Sequence, residues 1–166
     1  GERDTIGDAV KRLIYLDNNA TTAPLPEVTD AMLPLLGASY ANPSSVHPFG
    51  QRARHHIELA RQHVAALIGA DPREIVFTSG GTESINLAIR GVFGARSRRV
   101  GSQDRSHMRF VTTAVEHRSV LAVADRLERE GYPVTLLDVD EQGQLNEHAY
   151  VEALDEQTLL VSLGYG

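Results

Sequence analysis

The chain has 166 residues, 42% hydrophobic and 23% charged, enough for one globular domain with a real core. Its formal net charge of −6 argues against nucleic acid or an anionic membrane surface as a partner. It contains no cysteine, which excludes a disulfide framework, a thiolate metal site and a cysteine nucleophile within these residues; its single lysine is Lys11. No apolar run approaches the about 20 residues that a bilayer span requires. The start, Gly1 to Arg12, lacks the apolar stretch of a signal peptide, so a cytoplasmic location is the expectation.

In chain order, Arg12 to Asp17 is a short β-prone run that stops at Asn18-Asn19. Pro26 to Leu36 reads as a helix, with Pro26 in its first turn and Gly37 past its end. Ala41 to Ser45 is loop chemistry, and His47 to Ile68 recurs with helical spacing until Gly69. Glu74 to Thr78 has the compact apolar pattern of a buried strand, and a helix runs from Glu83 to about Phe93. Arg96, Arg98, Arg99 and Arg105 fall in a Ser/Gly-rich stretch read as a solvated surface loop, with an acidic partner's docking patch as the alternative.

Met108 to Ala114 is strand-like, Arg118 to Gly131 helical, and Pro133 to Leu137 a strand. Asn146 to Leu154 is a helix with Asn146 as its N-cap, and Thr158 to Leu163 is a last strand. Strands alternating with helices imply βαβ units. The fold class is therefore α/β: a mostly parallel sheet flanked by helices in one domain.

The strongest local signal is Phe77-Thr-Ser-Gly-Gly-Thr-Glu-Ser84. A strand running through two glycines into a helix leaves free amides and a helix dipole aimed at the turn, which suits a phosphate. Thr82 and Ser84 can add hydroxyl donors. A tight turn with a threonine cap explains the same residues, and both readings stand. No Gly-Lys-Ser/Thr follows, and the glycine spacing is not that of a dinucleotide loop.

His117 directly follows a strand, where an open α/β sheet presents its binding residues. It can stack on a flat ring or move a proton, or it can simply begin the next helix with Glu116 and Ser119. Asp17 to Thr22 and Asn42 to His47 are polar where local structure ends; turn formation through Asx bonds accounts for them too. His55, His56 and His63 lie on one helix with no carboxylate fixed beside them, so no metal site is expected.

Together, Tyr15-Leu-Asp-Asn-Asn-Ala-Thr-Thr22, Asn42-Pro-Ser-Ser-Val-His47, Gly69 to Ser84 and Glu116-His117 resemble the cysteine desulfurases of the NifS/IscS type, in the class V aminotransferase group. The resemblance runs from about Ile14 to Leu163. It implies the N-terminal half of a fold-type-I large domain that binds pyridoxal 5′-phosphate, over 14–166, after an N-terminal extension over 1–13. It implies that Gly81 and Thr82 hold the cofactor phosphate, and that His117 stacks on the pyridine ring and takes part in proton transfer. Asn18, Asn19, Ala20, Thr21 and Asn42 match stretches on the substrate side or the dimer interface. The activity implied is removal of sulfur from L-cysteine, giving alanine and an enzyme persulfide for iron–sulfur cluster assembly or other sulfur delivery, with sulfur-acceptor proteins as partners.

The sequence also departs from that pattern. The reaction needs a lysine to form a Schiff base with the cofactor, an acid at the pyridine nitrogen, and a cysteine thiolate to take the sulfur. The family places all three later in the chain, Lys11 does not match, and Gly164-Tyr165-Gly166 does not resemble the lead-in to the family's Asn-Asn-Glu motif. The expectation is a truncated portion that is inactive alone. The alternatives are a half-domain interaction module that self-associates or pairs with a chain supplying the missing half, and another class V enzyme such as a selenocysteine lyase or an aminotransferase.

Overall fold

A computed structural model describes residues 14–18, 20–101 and 104–164, which fall into two compact units divided after Ile75. The expectations attached to Lys11, Asn19, the 1–13 extension and Tyr165-Gly166 lie outside the described residues.

The first unit is helical. Helix α1 spans Pro26–Leu36 and α2 spans Pro48–Ile68, each with proline in its first turn, where a missing N–H costs no hydrogen bond. The His47 ring caps α2 by accepting the Gly50 amide at 3.3 Å. At the other end Gly69 turns the chain out at φ 69°, a left-handed conformation that glycine adopts without strain. A single 3₁₀ turn, Pro72–Glu74, follows; it is closed by a capping box between Asp71 and Glu74. Arg61 on α2 reaches the Ile75 carbonyl.

Two expected strands are absent from this stretch. Of the first, residues 14–17 are exposed and form no strand; the chain bends there, with the Ala20 amide donating to the Asp17 carbonyl at 3.1 Å. Of the second, Glu74 closes the 3₁₀ turn and 75–78 run without strand pairing, Val76 and Phe77 being exposed. A strand exists by its ladder, and the sheet among the described residues does not include this apolar run.

The second unit is α/β. In chain order it holds α3 (Gly81–Val100), β1 (Arg109–Thr113), α4 (Arg118–Arg129), β2 (Val134–Leu137), α5 (Glu147–Ala153) and β3 (Thr158–Ser162). The sheet order is β2-β1-β3 and both pairings are parallel, as the βαβ pattern requires. Phe110 of β1 packs with Ile89 and Phe93 of α3 and with Val120, Val123, Ala124 and Leu127 of α4. Val111, on the opposite face, is equally inaccessible, so the central strand is covered on both sides.

Helix α3 runs past Phe93 to Val100. Arg96, Arg98 and Arg99 are therefore helical rather than in a surface loop. Cations in the last turn favour the negative end of the helix dipole, and Gly101 at φ 61° supplies the stop.

Candidate functional site

Two places in the second unit concentrate polar chemistry. The first is the start of α3. Gly80 precedes it in an extended conformation and no side chain caps the helix, so its first-turn amides have no intrahelical acceptor. Around the turn, the Thr78 hydroxyl lies 2.6 Å from that of Ser84, and the Ser84 amide donates to the Gly80 carbonyl at 3.1 Å. The Glu83 carboxylate reaches back to the Ser79 amide and hydroxyl, both at 2.7 Å. The amide chiefly, and then the hydroxyl, hold this carboxyl below the ordinary glutamate range. Nothing lies within 4 Å of where a side chain would begin on Gly80 or Gly81.

The second place is the carboxyl end of the sheet. A cleft of about 770 Å³ opens there. Its walls come from Thr113 at the end of β1, from Val115, Glu116 and His117 before α4, from Leu163 and Gly164 after β3, and from the turn after β2. That turn is a small hairpin: Val139 bridges Leu145, the Asp140 carboxyl accepts the Gln142 and Gln144 amides at 2.9 and 2.8 Å, and Gly143 stands at φ 79°. Ligands of open α/β sheets bind at strand carboxyl ends because the loops there diverge and leave a crevice.

His117 is the N-cap of α4 and is exposed at this cleft. Its Nδ1 accepts the Ser119 amide at 3.2 Å and lies 2.6 Å from the Ser119 hydroxyl. An amide can only donate, so Nδ1 is an acceptor and the neutral ring carries its proton on Nε2. The histidine thus starts the helix and also presents a ring to the cleft. The helix-starting reading of His117 is thus met by the Ser119 bond, and its ring stands exposed where a ligand of the cleft would meet it.

The other sequence candidates are dispersed. Gly81 and Thr82 stand in the first turn of α3 and do not line the cleft that holds His117. Asn18, Ala20 and Thr21 lie in the first unit, in an exposed turn whose Ala20 and Thr21 amides point at the Asp17 carbonyl. Asn42 accepts the Ser44 amide at 2.8 Å and lines a separate cleft with Tyr40, His47 and Phe49. No cluster of metal-binding side chains occurs among the described residues, His55, His56 and His63 included. Sequence reasoning passed over Glu116 as a site residue, and Gly164 too. The Glu116 carboxyl accepts the Gly164 amide, a contact across 48 positions that no local pattern reveals.

Comparisons with known proteins add to this geometry. A family model described as aminotransferase class-V matches residues 14–166. A putative cysteine desulfurase IscS 1 of Bacillus subtilis (strain 168) is 42% identical over 153 residues, which cover 92% of this chain and 38% of that protein. A cysteine desulfurase of Trichormus azollae is 46% identical over 153 residues, covering 92% of this chain and 36% of its own length. Among solved structures, a NifS-like protein aligns with a TM-score of 0.76 at 36% identity, over 88% of this chain and 38% of that one. DndA from Streptomyces lividans aligns with a TM-score of 0.70 at 37% identity, over 90% and 40%. The chain spans well under half the length of the relatives it matches, and the likeness is to their N-terminal portion.

Proposed function

We propose a function from one premise: this chain belongs to the aminotransferase class-V family, whose members depend on pyridoxal 5′-phosphate. Its chemistry on this reading is that of the cysteine desulfurases, and it carries the non-covalent part of such a cofactor site. Residues 14–166 are then part of a transferase large domain, with 1–13 an extension before it. The carrying observation is His117, an exposed ring with its proton on Nε2, at a cleft on the carboxyl end of parallel strands.

The residues present fit the group. An uncapped helix start beside two glycines with open space suits a phosphate dianion, which backbone amides and the Thr82 hydroxyl would hold. The His117 ring suits stacking on a flat heteroaromatic, and its Nε2 can hold or release a proton there. When bound, pyridoxal phosphate supplies an electron sink for bond breaking at the amino acid. Removing sulfur from cysteine also requires a thiolate to accept it, and these 166 residues contain no cysteine. On this reading the chain binds the cofactor weakly and gives no turnover alone; in the cytoplasm it self-associates or pairs with another chain, the thiolate comes from residues outside these 166, and sulfur acceptors act further downstream.

A specific observation supports that dependence. Val76, Phe77, Leu87, Leu136 and Leu163 of the second unit are exposed, as large apolar side chains at an interface would be before it forms. No helix among the described residues is long and apolar enough to cross a membrane.

The test incubates the purified chain with pyridoxal phosphate, L-cysteine and a thiol reductant, and follows alanine and sulfide. No product is expected, whereas equilibrium dialysis should show weak cofactor binding that Thr82→Ala and His117→Ala each reduce. Sustained turnover by the chain alone, or binding indifferent to both substitutions, would overturn the reading. A monodisperse monomer with a cooperative melt would count against the association.

A further inference from the structure

The β1–β3 ladder ends at Thr112 and Ser162, yet the two strands stay joined beyond it. The Thr112 hydroxyl donates to the Ser162 carbonyl at 2.8 Å. Two residues further on, the Gly164 amide donates to the Glu116 carboxyl. Side chains of the first strand and its exit thus continue the pairing after the backbone ladder has stopped, at the rim of the His117 cleft.

The contact leaves little slack. A Cβ on Gly164 would stand 3.1 Å from one Glu116 carboxyl oxygen and 3.3 Å from the other. Glu116 is half-buried, and the next residue is the cleft histidine. His117 is therefore held from both directions along the chain. On its C-terminal side the Ser119 amide grips Nδ1. On its N-terminal side Glu116 is tied to the exit of β3. What remains free on the ring is Nε2–H.

We propose that Glu116 is a positioning residue: by holding the Gly164 amide it fixes where the His117 ring stands over the cleft, and so sets the cleft's affinity for a flat anionic heteroaromatic such as pyridoxal phosphate. The ligand class rests on the function proposed above; the positioning does not. Glu116→Gln keeps a carbonyl oxygen to accept the Gly164 amide, Glu116→Ala keeps none, and Gly164→Ala crowds the carboxyl from the other side.

The experiment uses the full chain, labelled with ¹⁵N, as wild type and the three variants. It reads the Gly164 amide's exchange rate, the His117 ring nitrogen shifts and the dialysis constant for pyridoxal phosphate, with a melt on each. In Glu116→Ala the Gly164 amide should exchange faster and the His117 ring signals should move. The dissociation constant should rise roughly two- to tenfold, the effect of one net hydrogen bond. Gly164→Ala should move the same ring signals, and Glu116→Gln should restore wild-type values. Ring signals unmoved in Glu116→Ala, or Glu116→Gln behaving as Glu116→Ala, would overturn the proposal. If the wild type binds no pyridoxal phosphate, the proposed function fails while the His117 and Gly164 signals still decide the role of Glu116.

Discussion

One carboxyl oxygen of Glu83 accepts both the amide and the hydroxyl of Ser79, each at 2.7 Å. These bonds favour the charged form and depress its pKa below the ordinary glutamate value of 4.5. Any stability they lend is thus present above that value and lost as pH falls through the lower, folded-state pKa. Carboxyl-carbon NMR should show Glu83 titrating below 4.5. The Ser79 amide should exchange faster once it does. In Glu83→Gln, which keeps an acceptor but cannot ionise in this range, the acid-dependent loosening should vanish. A Glu83 midpoint at or above the ordinary value would refute the arrangement.

Gly50 is the tightest glycine among the described residues. A Cβ there would stand 2.4 Å from the Ser45 carbonyl oxygen and 2.7 Å from that of Asn42, both backbone atoms that cannot swing away. Gly50→Ala should therefore destabilise the first unit by about 1–3 kcal/mol, the usual cost of overpacking. Gly91, inside α3, has open space where its Cβ would be. Gly91→Ala should stabilise by about 0.5–1 kcal/mol, because alanine loses less backbone entropy in a helix. Urea melts of the two variants should move in opposite directions.

The same contrast between local and distant information separates what was legible in the sequence from what was not. Helix α1 keeps the bounds its proline and glycine announce, and His117 stands where a strand-then-helix pattern puts it. Those signals are local. The apolar run from Glu74 to Thr78 looks like a strand, but a strand needs a neighbour, and composition does not say whether one is present. The arginines near the end of α3 read as loop because serine and glycine surround them; the helix dipole and the Gly101 cap decide otherwise. Glu116 was visible as half of a motif, but its partner Gly164 lies across the sheet, where only the parallel register brings it close.

Asn146 offers a smaller test of local chemistry. Its side-chain oxygen accepts the His148 and Ala149 amides at 3.0 and 3.1 Å, capping a helix of only seven residues. So short a helix has little stability of its own to spare. Asn146→Ala should cost about 0.5–2 kcal/mol, while Asn146→Asp, another good cap, should cost much less. Amide exchange at 148 and 149 is the readout. Unchanged protection in the alanine variant would mean that packing alone holds α5.

Phe93 carries the sharpest stability prediction. Its side chain is 1% exposed and meets two rings edge-on, Tyr132 at 5.0 Å and Phe110 at 6.2 Å between centroids. These contacts join α3, β1 and the segment after α4, so the ring sits where the elements of the second unit converge. Phe93→Ala should cost about 3–5 kcal/mol, combining lost burial with the cavity left behind. Tyr132 is bound from two further directions: its hydroxyl lies 2.9 Å from that of Ser97, and the Arg105 guanidinium stands 4.6 Å above its ring. Tyr132→Phe keeps the ring contacts and loses one hydrogen bond, so it should cost only about 0.5–1.5 kcal/mol. Thermal or urea melts rank the two. A Phe93→Ala cost no greater than that of Tyr132→Phe would show that the three rings are not the unit's principal core.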